Sequence, residues 1–207
     1  MFFIKLFDFI VFMINKLNID ESHGLLHSMQ VLNYAHEIYN MEIINNKDLC
    51  KYKNIIYISA ALHDICDKKY IDENEGIKEI ENFLNDKISE EDIEIIKTII
   101  TTMSYSKVKT NGFPDLNEKL LAYHVVREAD LLASIDFDRC MSYKMLKTKG
   151  NIYEAFNDAI KLFDERMFRH KIDNLYVTKY ANHKDYILQI EAKIRINNWK
   201  KILNLSP

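Results

Sequence analysis

The sequence is poor in the two residues that most often build tight turns. Among its 207 residues there are four glycines and two prolines. Parallel α/β folds and β-sandwiches need many tight turns, which usually draw on glycine and proline. Apolar residues make up 48% of the chain, so a core can be buried without difficulty. The composition therefore favours an all-α fold in which long helices are joined by polar loops.

Cysteine is also scarce, and its placement argues against two kinds of stabilising site. The three cysteines, Cys50, Cys66 and Cys140, are an odd number and show no Cys-x-x-Cys spacing. A disulfide framework and a thiolate zinc site are therefore both disfavoured. This pattern suits a reducing compartment, and we expect a cytoplasmic location.

The sequence lacks both a strong net charge and an apolar run of membrane length. The formal net charge of −3 provides no general field for nucleic acid, so no stable nucleic-acid partner is expected. The apolar segment Met1–Ile14 is interrupted by Lys5 and Asp8 and is too short to cross a bilayer. We interpret it as a first helix that packs on the core, and no membrane partner is expected.

Apolar periodicity predicts a series of helices. Asn18–Ser22 is predicted to be a loop in which Ser22 caps the following helix. The Asn-Gly pair and the proline in Thr110–Leu116 predict a second loop. Helices are predicted at Met1–Ile14, His23–Tyr39, Lys51–Ile65, Gly76–Leu84, Glu90–Met103, Asn117–Lys147 (one long helix or two abutting ones), Tyr153–Phe168 and Lys184–Leu203.

No linker rich in proline, glycine or serine divides the chain, and no internal repeat stands out. A single helical domain over residues 1–207 is therefore predicted. Within it, the motifs described next lie in a core of about 20–140, and the helices of 150–207 are expected to pack on that core.

Two ionisable residues follow the most apolar of the predicted helices. His63 and Asp64 come directly after Ala60, Ala61 and Leu62. Ionisable groups at the end of a buried helix cost free energy unless each finds a partner. A divalent cation would serve both groups at once. Taken alone, the pair fits a satisfied core histidine beside a capping aspartate better than a metal site, and that alternative stays open.

The pair is one part of a longer pattern, with His27 upstream and Asp130 downstream. This order of residues resembles the HD-domain phosphohydrolase superfamily, and especially its small stand-alone members of the nucleotide pyrophosphohydrolase type. Residues 20–27, Asp-Glu-Ser-His-Gly-Leu-Leu-His, match the opening segment of that family. Residues 62–70, Leu-His-Asp-Ile-Cys-Asp-Lys-Lys-Tyr, match its Leu-His-Asp-Ile-Gly-Asp-x-Lys-aromatic run. Ser-Tyr-Ser at 104–106 and Glu-Ala-Asp at 128–130 complete the resemblance, which covers roughly residues 20 to 140.

The resemblance implies a compact single-domain helical bundle of the HD type with one divalent metal ion. Its ligands would be His27, His63, Asp64 and Asp130. Two imidazoles and two carboxylates suit Mn²⁺, Fe²⁺, Co²⁺, Ni²⁺ or Zn²⁺, with Mg²⁺ also an option. Binuclear members use further histidines between the His-Asp pair and the last aspartate, and His124 is the only one here. A mononuclear site is therefore favoured.

The implied activity is hydrolysis of a phosphoester or phosphoanhydride in a nucleotide or related phosphorylated small molecule, with a metal-bound water as nucleophile. Asp67 is the candidate for proton transfer, because a continuing helical turn would bring it to the side of Asp64. His23 is expected near the substrate. Lys69 is a candidate phosphate ligand, with a solvated surface lysine as the alternative.

Four positions depart from the pattern of these relatives. Gly24 and Ala133 stand where aspartate is usual or frequent, and Gln30 and Leu131 stand where arginine is. Because arginine can hold phosphate groups through two hydrogen bonds, the departures leave the substrate, leaving group and base preference open. A non-catalytic nucleotide-sensing module and a structural protein that retains the motif as a relic are the two alternatives. A homodimer also stays open.

Overall fold

A computed structural model describes residues 2–205, in which ten α-helices and three short 3₁₀ helices account for the regular structure and no strand occurs. The predicted all-α class is confirmed. Met1 of the first predicted helix and the last two residues of the predicted 1–207 domain lie outside the described residues. Within residues 2–205, no helix is both long enough and apolar enough to span a membrane.

The helices fall into two compact units, and the division lies between Asp130 and Leu131. The first unit contains α1 (Phe2–Leu17), α2 (Leu25–Glu42), α3 (Lys53–Leu62), α4 (Glu73–Leu84), α5 (Glu90–Thr102), α6 (Tyr105–Asn111) and most of α7 (Leu120–Ala133). The second contains the end of α7 with α8 (Phe137–Lys147), α9 (Ile152–Glu165) and α10 (Lys179–Ile202). The 3₁₀ helices are Lys47–Tyr52, Asn117–Lys119 and Met167–Arg169. One domain over the whole chain stays a prediction.

Helix α3 is the central helix of the first unit. Eight of its ten residues are buried, and it packs against α1, α2 and α5, which explains its nearly continuous apolar sequence. It ends at Leu62, before the predicted end at Ile65. There the backbone tightens, because the N–H of Ile65 donates to the carbonyl of Leu62 and that of Asp67 donates to Asp64. His63 and Asp64 therefore lie in a turn directly after the most buried helix.

The entry to α2 differs from the prediction. The helix begins at Leu25 with Gly24 as its N-cap, so the prediction that Ser22 caps this helix was wrong. The Ser22 hydroxyl instead donates to Oδ1 of Asp20 and lies 2.6 Å from Nδ1 of His23. A serine hydroxyl can bond either within a loop or to the free N–H groups of a helix, and Ser22 bonds within the loop.

Capping side chains explain three other boundaries. Helix α4 begins at Glu73, three residues before the predicted start, because the Asp72 carboxylate accepts hydrogen bonds from the first free backbone N–H groups. Thr178 caps α10 in the same way, and this helix begins at Lys179, five residues before the predicted start. Asp136 caps α8, so the stretch 117–147 forms two α-helices rather than one. The short helix α6 was not predicted.

Asparagine ends helices where glycine would be usual. Asn18, just after α1, and Asn204, just after α10, each have a φ of 52°, which lies in the left-handed region. After the first of them, the N–H of Ile19 donates to the carbonyl of Ile14, the long closing bond of a Schellman motif. Asparagine tolerates this conformation better than other residues with a Cβ. The chain thus terminates helices although it has little glycine.

The second unit has its own aromatic core. The ring of Phe137 on α8 meets Phe156 and Phe163 of α9 edge-on, with centroid distances of 5.8 and 5.3 Å. Helix α10 is tied to α8 by Asp138, which accepts hydrogen bonds from Arg195 and from the indole of Trp199. These contacts join the three helices independently of the first unit.

Candidate metal centre

The four predicted metal ligands come together in the first unit. Nε2 of His27, on α2, lies 3.2 Å from Nε2 of His63, which follows α3. An oxygen of Asp64 lies 3.3 and 3.2 Å from these two nitrogens. Oδ1 of Asp130, on α7, lies 3.3 Å from His27 and 3.6 Å from His63. Residues more than a hundred positions apart in sequence therefore face one another through atoms that bind metals.

The hydrogen bonding of His63 determines which of its ring nitrogens faces this group. Nδ1 lies 2.9 Å from the carbonyl oxygen of Ala60. A carbonyl oxygen can only accept, so Nδ1 carries the proton and the lone pair of a neutral ring is on Nε2, beside Asp64 and Asp130. Histidines that bind metals use this arrangement, in which one nitrogen donates to the protein and the other coordinates.

One oxygen of the Asp64 carboxylate lacks a hydrogen-bond donor. Oδ2 is buried, and while the two imidazoles are neutral it accepts no hydrogen bond from any group within residues 2–205, although their Nε2 atoms are its near neighbours. A buried carboxylate oxygen without a donor is costly unless a cation takes its lone pair. This oxygen is the observation that best tests whether the residues suit a metal.

The spacing of the donor atoms also suits an ion. Donors about 2.1 Å from one ion, at angles between about 90° and 110°, lie about 3.0–3.4 Å apart. The separations among His27, His63 and Asp64 fall in that range, and these three form the tightest group, with all donor atoms within 4.8 Å of one another. Asp130 extends the group through its contacts with the two imidazoles. The donor set therefore fits a divalent transition metal.

The electrostatics of the site favour charged side chains. Burial by itself raises the pKa of the Asp64 carboxyl, but the imidazoles of His63, His27 and His23 together outweigh it and hold that pKa well below the usual value. Burial has the same effect on Asp130, and hydrogen bonds from the protonated forms of His27 and His63 reverse it and lower the pKa. For His63, burial lowers the pKa, yet the neighbouring carboxylates raise it well above the ordinary value. Two anionic carboxylates thus require positive charge beside them.

The other three predicted site residues lie close to one another, and two of them lie close to Asp64. His23, Asp64 and Asp67 each offer an atom within 4.8 Å of the others, although the helical turn expected to position Asp67 is absent. A tight turn brings Asp67 there instead, and its Oδ1 accepts from the backbone N–H of Lys69 at 2.8 Å. The ammonium of Lys69 lies 2.9 Å from Nε2 of His23. Their functional roles stay predictions.

A hydrogen-bonded network that was not predicted from the sequence orients His23. Nδ1 of His23 lies 2.6 Å from the hydroxyl of Ser22, which in turn donates to Asp20. Tyr70 donates to the other oxygen of Asp20 at 2.7 Å. Burial raises the pKa of Asp20, but the bonds from Ser22 and Tyr70 outweigh it and lower the pKa. The motif segments contain all of these residues, but sequence gives no sign that they bond to one another.

A second buried polar group lies on α7, ahead of Asp130. Arg127 and Glu128 are fully buried, and the guanidinium donates to the carboxylate at 3.1 Å. Arg127 also lies 3.4 Å from Nδ1 of His124 and over the ring of Phe113. Burial and the charge of Arg127 lower the pKa of His124 to about 4. From the sequence, His124 was considered only as a possible further ligand, and the buried position of Arg127 was not predicted.

Comparisons with protein-family models, with curated proteins and with solved structures found no match to this chain.

Proposed function

We propose that this chain is a divalent-metal-dependent phosphohydrolase of the HD type that acts on a nucleotide or a related phosphorylated small molecule. The observation that carries the proposal is the convergence of two imidazole nitrogens on a buried Asp64 oxygen that accepts no hydrogen bond within residues 2–205. His27, His63, Asp64 and Asp130 would hold the ion. A divalent cation at such a site supplies Lewis-acid chemistry, since it activates water and polarises a phosphoryl oxygen.

The surrounding side chains have the chemistry that phosphate hydrolysis requires. Asp67 is partly exposed and close to Asp64, so it can accept a proton from the attacking water and return it to the leaving oxygen. Lys69, with 47% of its side chain exposed, can hold a phosphate oxygen at the mouth of the site. The His23 imidazole lies 2.9 Å from the Lys69 ammonium and offers an atom within 4.8 Å of Asp64 and Asp67. We assign Asp67 the catalytic role and the other two substrate binding.

The proposed cofactor is one Mn²⁺, Fe²⁺, Co²⁺, Ni²⁺ or Zn²⁺ ion, with Mg²⁺ as a weaker candidate, because imidazole ligands favour transition metals. The partner is a small phosphorylated substrate. All three cysteines are free thiols in the structure, which is the state kept in the reducing cytoplasm, the location that we propose.

The proposal is tested by metal content and turnover. Protein purified without a histidine tag is analysed for metals, loaded with Mn²⁺, and assayed against nucleoside mono- and triphosphates, cyclic nucleotides, dinucleotides and (p)ppGpp. Released phosphate and pyrophosphate are measured separately, which identifies the bond that is broken. We expect turnover of at least one substrate and its loss in the His63→Ala, Asp64→Ala double variant.

The matched control is His183→Ala, which removes an exposed histidine from α10. It should keep wild-type metal content and turnover. Turnover that persists in the double variant contradicts the proposal. Nucleotide binding without product, with any of the metals, would identify a non-catalytic sensing module. Absence of bound metal would favour the structural alternative.

A further inference from the structure

A second group of metal-binding side chains lies next to the proposed centre. His23, Asp64 and Asp67 offer one nitrogen and two carboxylate oxygens within 4.8 Å of one another. Asp64 belongs to both groups, and a carboxylate has two oxygens that can serve two cations. Two-metal phosphohydrolase sites commonly share a ligand in this way. The chain therefore carries most of a second site beside the first.

His23 is oriented as a metal-binding histidine would be. Its Nε2 lies 2.9 Å from the Lys69 ammonium, which can only donate, so Nε2 must accept. The ring proton is therefore on Nδ1, where it is donated to the Ser22 hydroxyl, and that hydroxyl donates to Asp20. A histidine whose second nitrogen donates to a carboxylate-backed partner is the usual arrangement of a metal ligand.

Lys69 places a positive charge at this second group. Its ammonium contacts Nε2 of His23 and lies 3.9 Å from Oδ2 of Asp67. The backbone N–H of the same residue donates to Oδ1 of Asp67, so one residue binds both carboxylate oxygens. Two carboxylates in close proximity repel each other unless a cation lies near them. The Lys69 ammonium is such a cation, and it belongs to the chain itself.

We infer that the Lys69 ammonium takes the place of a second metal ion, and that it limits the centre to one divalent cation. This inference rests on the proposed function, because it presupposes an ion at His27 and His63. The number of histidines only indicates that the site is mononuclear, whereas the Lys69 ammonium gives a physical reason for it. The built-in cation can stabilise a phosphate oxygen where a binuclear enzyme would use its second ion.

The test is the number of ions per chain. Wild-type protein and the Lys69→Met variant are freed of metal with a chelator, saturated with Mn²⁺, desalted and analysed for metal content. We expect one ion in the wild type and two in the variant, a doubling. Electron paramagnetic resonance should show magnetic coupling between two Mn²⁺ ions in the variant only.

Two further variants locate the effect. Lys68→Met removes the neighbouring lysine, which is exposed and lies near Glu73, and should leave one ion. Adding His23→Gln to Lys69→Met should return the content from two ions to one. Circular dichroism confirms that each variant is folded, and Lys69→Gln replaces Lys69→Met if the latter is not.

The outcomes separate this inference from the proposed function. One ion in the wild type and one in the Lys69 variants overturns the inference alone. Two ions in the wild type also overturn it. A wild-type chain that binds no ion overturns both the inference and the proposed metal-dependent activity.

Discussion

Gly76 on α4 lies directly against Cys66, so that a Cβ atom on the glycine would be 2.7 Å from both Cα and Cβ of the cysteine. Cys66 lies between Asp64 and Asp67 in the turn that follows α3. The family motif that this segment resembles has glycine at the position of Cys66. Here the glycine at this contact is Gly76, on α4, instead. The close approach of α4 to the candidate site therefore depends on Gly76.

The first prediction concerns this contact. Gly76→Ala should lower the free energy of unfolding by about 1–3 kcal/mol, because the added methyl group overlaps backbone that cannot move aside freely. Urea unfolding followed by circular dichroism measures the change. Lys78→Ala, at an exposed position of the same helix, should change stability by less than about 0.5 kcal/mol. Equal stabilities of the two variants would contradict the close contact.

The second prediction concerns stabilisation by metal. Mn²⁺ at about 100 times its dissociation constant should raise the free energy of unfolding by about 2.7 kcal/mol, because the ion binds the folded chain alone. A chelator should reverse the effect. His63→Ala should abolish it, and His183→Ala should keep it. Thermal unfolding with and without Mn²⁺ makes the measurement, and an unchanged midpoint in the wild type would count against an ion at this site.

The third prediction concerns pH and His124. Its pKa is lowered from 6.5 to about 4 in the folded chain, so the unfolded chain takes up the proton first as pH falls. The contribution of the neutral His124 ring to the free energy of unfolding is at its full value above pH 6.5. It is lost progressively as pH falls towards 4. The loss amounts to at most about 3 kcal/mol.

Substitution isolates this contribution. His124→Gln keeps an acceptor for Arg127 but cannot titrate, so its stability should fall less steeply than the wild type between pH 6.5 and 4. Urea unfolding at several pH values compares the slopes, and His124→Asn tests whether the result depends on the shape of the substitute. Identical slopes in all three proteins would refute the assignment.

The fourth prediction concerns the buried ion pair on α7. Glu128→Ala should cost about 3–5 kcal/mol, because it leaves the buried guanidinium of Arg127 without its carboxylate. Lys51→Ala breaks the exposed pair with Asp48 and should leave the free energy of unfolding nearly unchanged. Urea unfolding of the two variants gives the comparison. A small effect at Glu128 would mean that Arg127 is held by other partners.

Much of the fold could be predicted from local pattern. The all-α class, the buried α3 and the start of α5 at Glu90 followed from composition and apolar periodicity. Boundaries were less certain, because capping side chains such as Asp72 and Thr178 extend a helix beyond its apolar stripe. Short helices such as α6 bury too little apolar surface to show a periodic signal.

The candidate site was predictable as a set of residues but not as an arrangement. His27, His63, Asp64 and Asp130 were chosen by their order along the chain, and the structure brings them together. Asp67 was expected beside Asp64 through a helical turn, whereas a tighter turn after Leu62 places it there. The prediction that Asp67 lies close to Asp64 is confirmed, but the helical turn given as its cause is absent.

By itself, the sequence determined the helical class, because helix periodicity is a property of residues and their spacing. The order of its motifs, through their resemblance to a family, predicted which side chains would hold a metal. Only the tertiary structure decided that Nε2 of His63 faces the two carboxylates, that Asp64 is common to two ligand groups, and that the Lys69 ammonium lies against His23. These relationships depend on packing between elements distant in sequence. No local pattern encodes the distance between a loop before α2 and a turn after α3.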